Sequence, residues 1–273
     1  MPRRVERRIS LLVPFQTDEW FRVQSWKWLE EYWRIHLPDA EIIIGKDRES
    51  HRTWYRRHPK PFSKAVAVNE AFKRSHGDII VILDADAYLS AHVVKHCAER
   101  IRFARDIGVH LWFVPYLRLF RLKRRISERI IESDPWHPLR LSDPPPHHDV
   151  ENTPEASWYG HNYGAMIMIV PREAFELVGG FDFRMRGWGG EDVAFLRSVD
   201  TLYGKHRNTD NDVLHLWHPQ FVTDTTVANW KVRVWEGQTS PRANDKLATR
   251  YHKANGNVEA MLSLVEERKK ENQ

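Results

Sequence analysis

One cysteine, Cys97, is the only thiol in this chain of 273 residues. A lone thiol excludes an internal disulfide and a thiolate metal cluster. It falls in a helix-like stretch and reads as a small buried apolar group. Nowhere do apolar residues run to the ~18 in a row that would span a bilayer, and the amino terminus shows no signal-peptide core. A cytoplasmic protein with no integral membrane segment is the expectation. The glycine fingerprint GxGxxG is missing, which removes dinucleotide binding by that device. Internal repeats are missing too, as is any aromatic-and-basic nucleic-acid motif of recognised spacing.

The bulk composition is that of a soluble globular protein, with 41% apolar and 29% charged residues. The length allows one large α/β domain or two small ones. Lys and Arg number 42 against 37 Asp and Glu, a net charge of +5. Part of the excess sits in runs, Arg3, Arg4, Arg7 and Arg8, then Arg121, Lys123, Arg124 and Arg125. Such runs are solvated faces, or they favour an anionic partner. Twelve tryptophans are many for this length. Broad indole faces suit sugar rings and nucleobases as well as cores.

Along the first hundred residues, strand and helix signals alternate. ISLLVPFQ (9–16), EIIIG (41–45) and IIVIL (79–83) are wholly apolar strands. Residues 18–36, 63–75 and 89–107 have helical spacing. This order predicts an α/β, Rossmann-like fold: a mostly parallel central sheet with helices on both faces. From about 131 to 162 periodicity fades and prolines accumulate, and a loop of that length is a lid, a binding loop or a surface excursion. A strand at 165–170, a short helix from Pro171 to Val178, a strand at 212–217 and helices at 242–254 and 257–270 follow. The expected division is a catalytic domain over 1–220 and a helical extension over 221–273 packed on it. Within the first, 1–100 is the nucleotide-binding half, 132–162 the lid or acceptor loop and 163–220 the acceptor and catalytic half.

Three motifs carry chemistry. In IIVILDADAYLS (79–90) a core strand runs into Asp84 and Asp86. Ligands of open parallel sheets bind beyond the carboxyl ends of strands, and alternation points both carboxylates to one side. Two such charges persist together when a cation sits beside them, Mg²⁺ or Mn²⁺ by their oxygen ligands. The alternative is that Asp86 caps the next helix. In HLWHP (215–219), His215 and His218 stand three apart at the end of a late strand, which shifts the ion towards Mn²⁺. In RGWGGEDVAF (186–195), glycines leave the backbone open to a ligand, Trp188 offers a stacking face, and Glu191 and Asp192 stand at a helix start.

IIVILDADAYLS, GAMIMIVPREAFELVGGFDFRMRGWGGEDVAF and HLWH together resemble a glycosyltransferase of the GT-A fold. The similarity is to glycosyltransferase family 2, the polypeptide N-acetylgalactosaminyltransferases and the C-terminal region of the β-1,4-galactosyltransferases, over about residues 9 to 218. It implies that Val13, Pro14 and Phe15 cradle the nucleotide base with Asp18 just beyond. Lys64, Asn69, Asp84 and Ala85 fall at the donor. Asp86, Asp84 and a late histidine would hold the metal, with His215 taken ahead of His218. Trp188, Gly189 and Gly190 shape the sugar and acceptor pocket, Glu191 binds sugar hydroxyls and Asp192 is the base.

The activity so implied is metal-dependent transfer of a sugar from a nucleotide-sugar donor, a UDP-sugar, with inversion. The polypeptide transferases carry Asn after this Glu and retain configuration, so GGED sides with the inverting relatives. With one cysteine the galactosyltransferase disulfides are impossible, and the implied enzyme is of bacterial or phage type. The acceptor stays open between a glycan, a protein, a lipid-linked sugar and a modified nucleobase, and oligomeric state is not readable. Other readings are a nucleotidyltransferase on the same fold, a haloacid-dehalogenase-type phosphohydrolase and a non-catalytic carbohydrate-binding scaffold. The second wants its aspartates on the first strand, whereas two strands precede them here.

Overall fold

The apolar runs at 9–16, 41–45 and 79–83 become the parallel half of a six-stranded sheet. The computed structural model describes residues 5–17, 19–48, 62–151, 165–187, 189–219, 225–227, 230–232 and 244–271. Strand β1 (Glu6–Pro14) pairs in parallel with β2 (Glu41–Gly45) on one side and β3 (Gly77–Leu83) on the other. Beyond β3 come β7 (Ile167–Pro171), β5 (Phe113–Val114) and β8 (Arg207–Asn208), in the order β2-β1-β3-β7-β5-β8. Of the six, β7 alone is reversed: it is antiparallel to β3 and β5, while β8 is parallel to β5. All of β3 and β7 is buried, which is why their sequences are continuously apolar instead of alternating.

Helix α1 (Trp20–His36) connects β1 to β2, and α2 (Lys64–Arg74) connects β2 to β3. The first connection steps outward and the second returns past β1, so right-handed crossovers put the two helices on opposite faces. Each start is capped. Glu19 accepts hydrogen bonds from the backbone N–H of Phe21 (2.9 Å) and Arg22 (2.8 Å). Ser63 Oγ accepts from Val66 N (3.2 Å). Phe72 of α2 stacks on Phe175 of α5 (Arg172–Leu177) at 4.1 Å, while α3 (Ala91–Asp106) packs with α1.

A second sheet of three short strands, in the order β4-β9-β6, follows the end of β3. In it β9 (Asp212–His215) is antiparallel to β4 (Ala87–Tyr88) and parallel to β6 (Arg118–Arg121), with Ala87 and Arg121 both opposite His215. Helix α4 (Arg124–Ile131) comes next. The following stretch is tied down and is no free excursion over 132–151. Trp28 Nε1 donates to Ser133 O (2.8 Å), a ring nitrogen of His36 lies 2.9 Å from Pro135 O, and Val150 bridges to Leu122. The rest of the expected lid, with Trp158, Tyr159 and His161, lies outside the described residues.

Towards the carboxyl terminus, α6 (Glu191–Leu202) is joined by α7 (Asp245–Ala254) and α8 (Val258–Glu271). Met185, Ala194, Tyr251, Ala254, Met261 and Leu264 form their shared apolar cluster, separate from the main core. Tyr251 donates its hydroxyl to buried Asp182 (2.8 Å), and Arg268 donates to Val178 O. A short antiparallel pair, β10 (Thr225–Val227) and β11 (Trp230–Val232), precedes α7. No helix among the described residues is long and apolar enough to cross a membrane.

Candidate active site

The two sheets meet where β3 ends. Asp84 N donates to Met166 O (2.9 Å), a tight turn returns Ala87 N to Asp84 O (3.0 Å), and β4 then pairs with β9. That pairing carries His215 to Asp86, and Leu216 N donates to Asp86 O (2.8 Å). Three side chains converge on Asp86 Oδ2: Arg22 Nη2 at 3.0 Å, His218 Nε2 at 3.5 Å and His215 Nε2 at 3.8 Å. Asp86, His215 and His218 each offer a ligand atom within 4.8 Å of the others. The capping alternative is thereby excluded: α3 starts after Ser90, and the Asp86 carboxylate is turned towards Arg22 and the histidines.

Burial opposes the charge on Asp86, yet the imidazoles and Arg22 around it hold the carboxyl below its ordinary range. Burial drives His215 down to about 3 and lowers His218 as well, so both rings are neutral at pH 7. Their tautomers differ. The Nδ1 of His218 lies 3.1 Å from Pro219 O, which only accepts, so Nδ1 carries the proton and Nε2 presents a lone pair to the cluster. The Nδ1 of His215 lies 3.4 Å from Arg121 Nη1, which only donates, leaving the proton on Nε2. One carboxylate with neutral imidazole suits Mn²⁺ or another transition ion better than Mg²⁺, which takes oxygen ligands.

A second charged group lies beside the first. Lys64, at the start of α2, is 2.6 Å from Asp84 Oδ1 and 2.8 Å from Asp192 Oδ1, and it hydrogen-bonds Asp192 Oδ2 at 2.9 Å. It is no surface lysine. Burial works against its charge, but Asp192, Asp84 and Glu191 outweigh that and hold it protonated. Burial pushes Asp84 up to about 7, with Lys64 opposing. It pushes Asp192 up to about 6, again with Lys64 opposing and Glu191 adding. Glu191 is raised by burial too, and its Oε2 is buried without a hydrogen-bond partner.

The glycine stretch gives α6 its start. Gly190 caps the helix at φ 93°, and Gly189, at φ 96°, has open space where a side chain would stand. Asn244, just before α7, fastens this turn by donating to Gly189 O (2.8 Å) and Arg186 O (3.1 Å). Ser63 Oγ holds Met185 O (2.8 Å), while buried Asp47 accepts from Ser63 N and pairs with Arg186, both at 3.1 Å.

Of the remaining expected residues, Pro14 is buried at the end of β1, and Phe15 packs against Trp26 with ring centroids 6.1 Å apart. Ala85 is buried, which leaves its backbone as the part able to meet a donor. The Asn69 amide accepts from Phe181 N (2.9 Å) and donates to Phe181 O (2.8 Å), so both of its ends hold the loop before the glycine stretch. Asp18 and Trp188 lie outside the described residues. Arg22, Asp47 and Asn244 were not singled out in the sequence, and Arg121 was named only as part of a basic run. Arg22 and Arg121 had only their basic charge to mark them, and Asp47 and Asn244 had nothing.

Residues 39–157 match the family described as glycosyl transferase family 2, and residues 145–212 match the N-terminal domain of galactosyltransferase. Human chondroitin sulfate N-acetylgalactosaminyltransferase 2 is 24% identical over 174 residues, 58% of this chain. The match spans 29% of that relative's length. Among solved structures, the catalytic domain of Drosophila β1,4-galactosyltransferase 7 in complex with xylobiose is 16% identical. It aligns with 76% of this chain and 66% of its own at a TM-score of 0.41. Glucosyl-3-phosphoglycerate synthase from Mycobacterium tuberculosis, in complex with Mn²⁺, UDP and glucosyl-3-phosphoglycerate, is 14% identical. It aligns with 78% of this chain and 73% of its own at a TM-score of 0.42.

Proposed function

We propose that this chain, a glycosyltransferase, moves a sugar from a UDP-sugar to an acceptor hydroxyl or amide with a divalent metal, Mn²⁺, and with inversion. The observation that carries the reading is the convergence of His215 and His218 on Asp86 at the carboxyl end of a central strand. In this reading Asp86 and His218 are the principal metal ligands, because His218 Nε2 has its lone pair free for an ion. That reverses the order expected from the sequence, with His215 second. An ion held there supplies charge neutralisation for the departing diphosphate.

The chain's own groups do the rest. Asp192 accepts the proton of the attacking acceptor group, and Lys64 fixes both oxygens of its carboxylate from one side. Glu191 Oε2, buried and without a partner, receives a sugar hydroxyl. Asp84, across Lys64 from Asp192, lies at the ribose side of the donor. The single thiol, buried and pushed up to about 12, is inert and fits a reducing cytoplasm.

UDP release from a panel of UDP-sugars, with Mn²⁺ and with chelator, tests the reading. Metal-dependent release from one sugar, lost in Asp86→Ala, is the expected result. Release that is indifferent to chelator and to Asp86→Ala would sink it.

A further inference from the structure

Helices α1 and α4 enclose a groove of about 490 Å³ that neither the metal cluster nor the glycine turn uses. Its first wall is one stripe of α1, Trp20, Gln24, Lys27 and Glu31, at helical spacing. Its second wall is the facing stripe of α4, Arg124, Glu128 and Ile131, and it is closed by the chain that Trp28 pins at Ser133. One lining residue, Arg124, links the groove to Trp217 and so to the strand end that carries the two histidines. The ring of Phe21 meets that of Trp217 at 5.0 Å, and Arg124 lies over the same indole at 5.3 Å, between His215 and His218 in sequence.

Trp20 is 63% exposed at the mouth of this groove, and Trp136, next to the lining residue Pro135, is exposed to the same 63%. Trp26, Trp28, Trp33 and Trp112 are all buried. An indole left in water beside a groove is apolar surface awaiting a partner, and a pyranose ring presents the matching face of C–H groups. The lining charges are mixed: Lys27 and Arg124 are met by Glu31, Glu128 and Glu132, and Arg124 is already bonded to Glu128 at 2.7 Å. Such a wall offers donors and acceptors to hydroxyls and gives no net attraction to a polyanion.

We propose that this groove is an acceptor subsite for an uncharged, hydroxyl-rich saccharide, with Trp20 as its stacking platform. The assignment rests on the glycosyltransferase reading and names the acceptor class of that site. Binding of cellobiose, chitobiose and xylobiose to the full chain, followed by ligand-observed NMR without donor, tests it. The expected result is saturable binding of at least one of them, weakened about tenfold by Trp20→Ala, the size of an aromatic stacking contribution. Trp20→Phe should retain most of it. Affinity for UDP with Mn²⁺ should be the same in all three proteins. The proposal is overturned if no uncharged disaccharide binds, if only a sulfated disaccharide or an oligonucleotide does, or if Trp20→Ala weakens UDP together with the saccharide. Failure of the transferase reading appears elsewhere, as absent UDP release, so the two are separable.

Discussion

At Asp86 a guanidinium occupies the oxygen that a metal would use, so Arg22 and a cation compete for it. Arg22→Gln is therefore expected to raise the affinity for Mn²⁺ alone, as read by the loss of the free-ion EPR signal. By the tautomer argument, His218→Ala weakens the same binding more than His215→Ala does. A base must be deprotonated to act, so kcat/KM rises with pH through about 6 and levels above it, following Asp192. Lys64→Met removes the charge that opposes this upward shift, and the acid limb then moves higher, by on the order of one pH unit. Stability runs the other way. Asp84 at about 7 and Asp192 at about 6 hold protons more tightly folded than unfolded. Their stabilising contribution is full below the ordinary aspartate range and is lost as pH rises through those values. Without metal, the fall in Tm between about pH 5 and pH 8 should shrink in Asp84→Asn.

At the scale of elements, the turn into α6 depends on two glycines in different surroundings. A Cβ on Gly190 would approach that of Ala248 on α7 to 3.1 Å, whereas one on Gly189 would meet nothing. Both sit at positive φ, so Gly189→Ala and Gly190→Ala each cost about 1–3 kcal/mol in backbone strain. Chemical denaturation should find Gly190→Ala the worse of the two by the contact with α7. The sequence made much of this region legible. A buried strand ending in paired aspartates, a late histidine pair and a glycine turn before two acids are patterns of residue type, and such patterns survive without coordinates. What stayed hidden was contact between distant positions. Arg22 reaches Asp86 across 64 positions, and Asn244 reaches Arg186 across 58. Packing sets such pairs, and no local period announces them. Asn69 shows the converse, since an amide in a suggestive motif turned out to hold Phe181. Strands β4, β5 and β8, two residues each, are too short for alternation to show.

At the scale of the whole molecule, the tail helices α7 and α8 pack on α6 and on the loop that carries Asp182. Asp182 is buried beneath Tyr251 and paired with Arg184, which also reaches Glu267 and Glu271 of α8. Tyr251→Phe removes one of the donors to Asp182 Oδ2, which keeps Arg184 Nη2 at 2.8 Å, so the expected cost by chemical denaturation is about 1 kcal/mol. Because this network joins the two apolar clusters, unfolding followed by near- and far-ultraviolet circular dichroism should still give coincident transitions.

The reversed strand has its own consequence. Since β7 runs against its neighbours, the chain enters it at the edge of the sheet where Asp84 stands, with Met166 bonded to Asp84 N and to the Tyr116 hydroxyl. The other end of the same connection is fixed at Val150, beside the strand that holds His215. Both of those anchors therefore stand beside the strand ends that carry Asp84 and His215. Sequence changes between the anchors that spare Leu122, Val150, Tyr116 and Met166 keep both clamps, and with them the positions of Asp84 and His215.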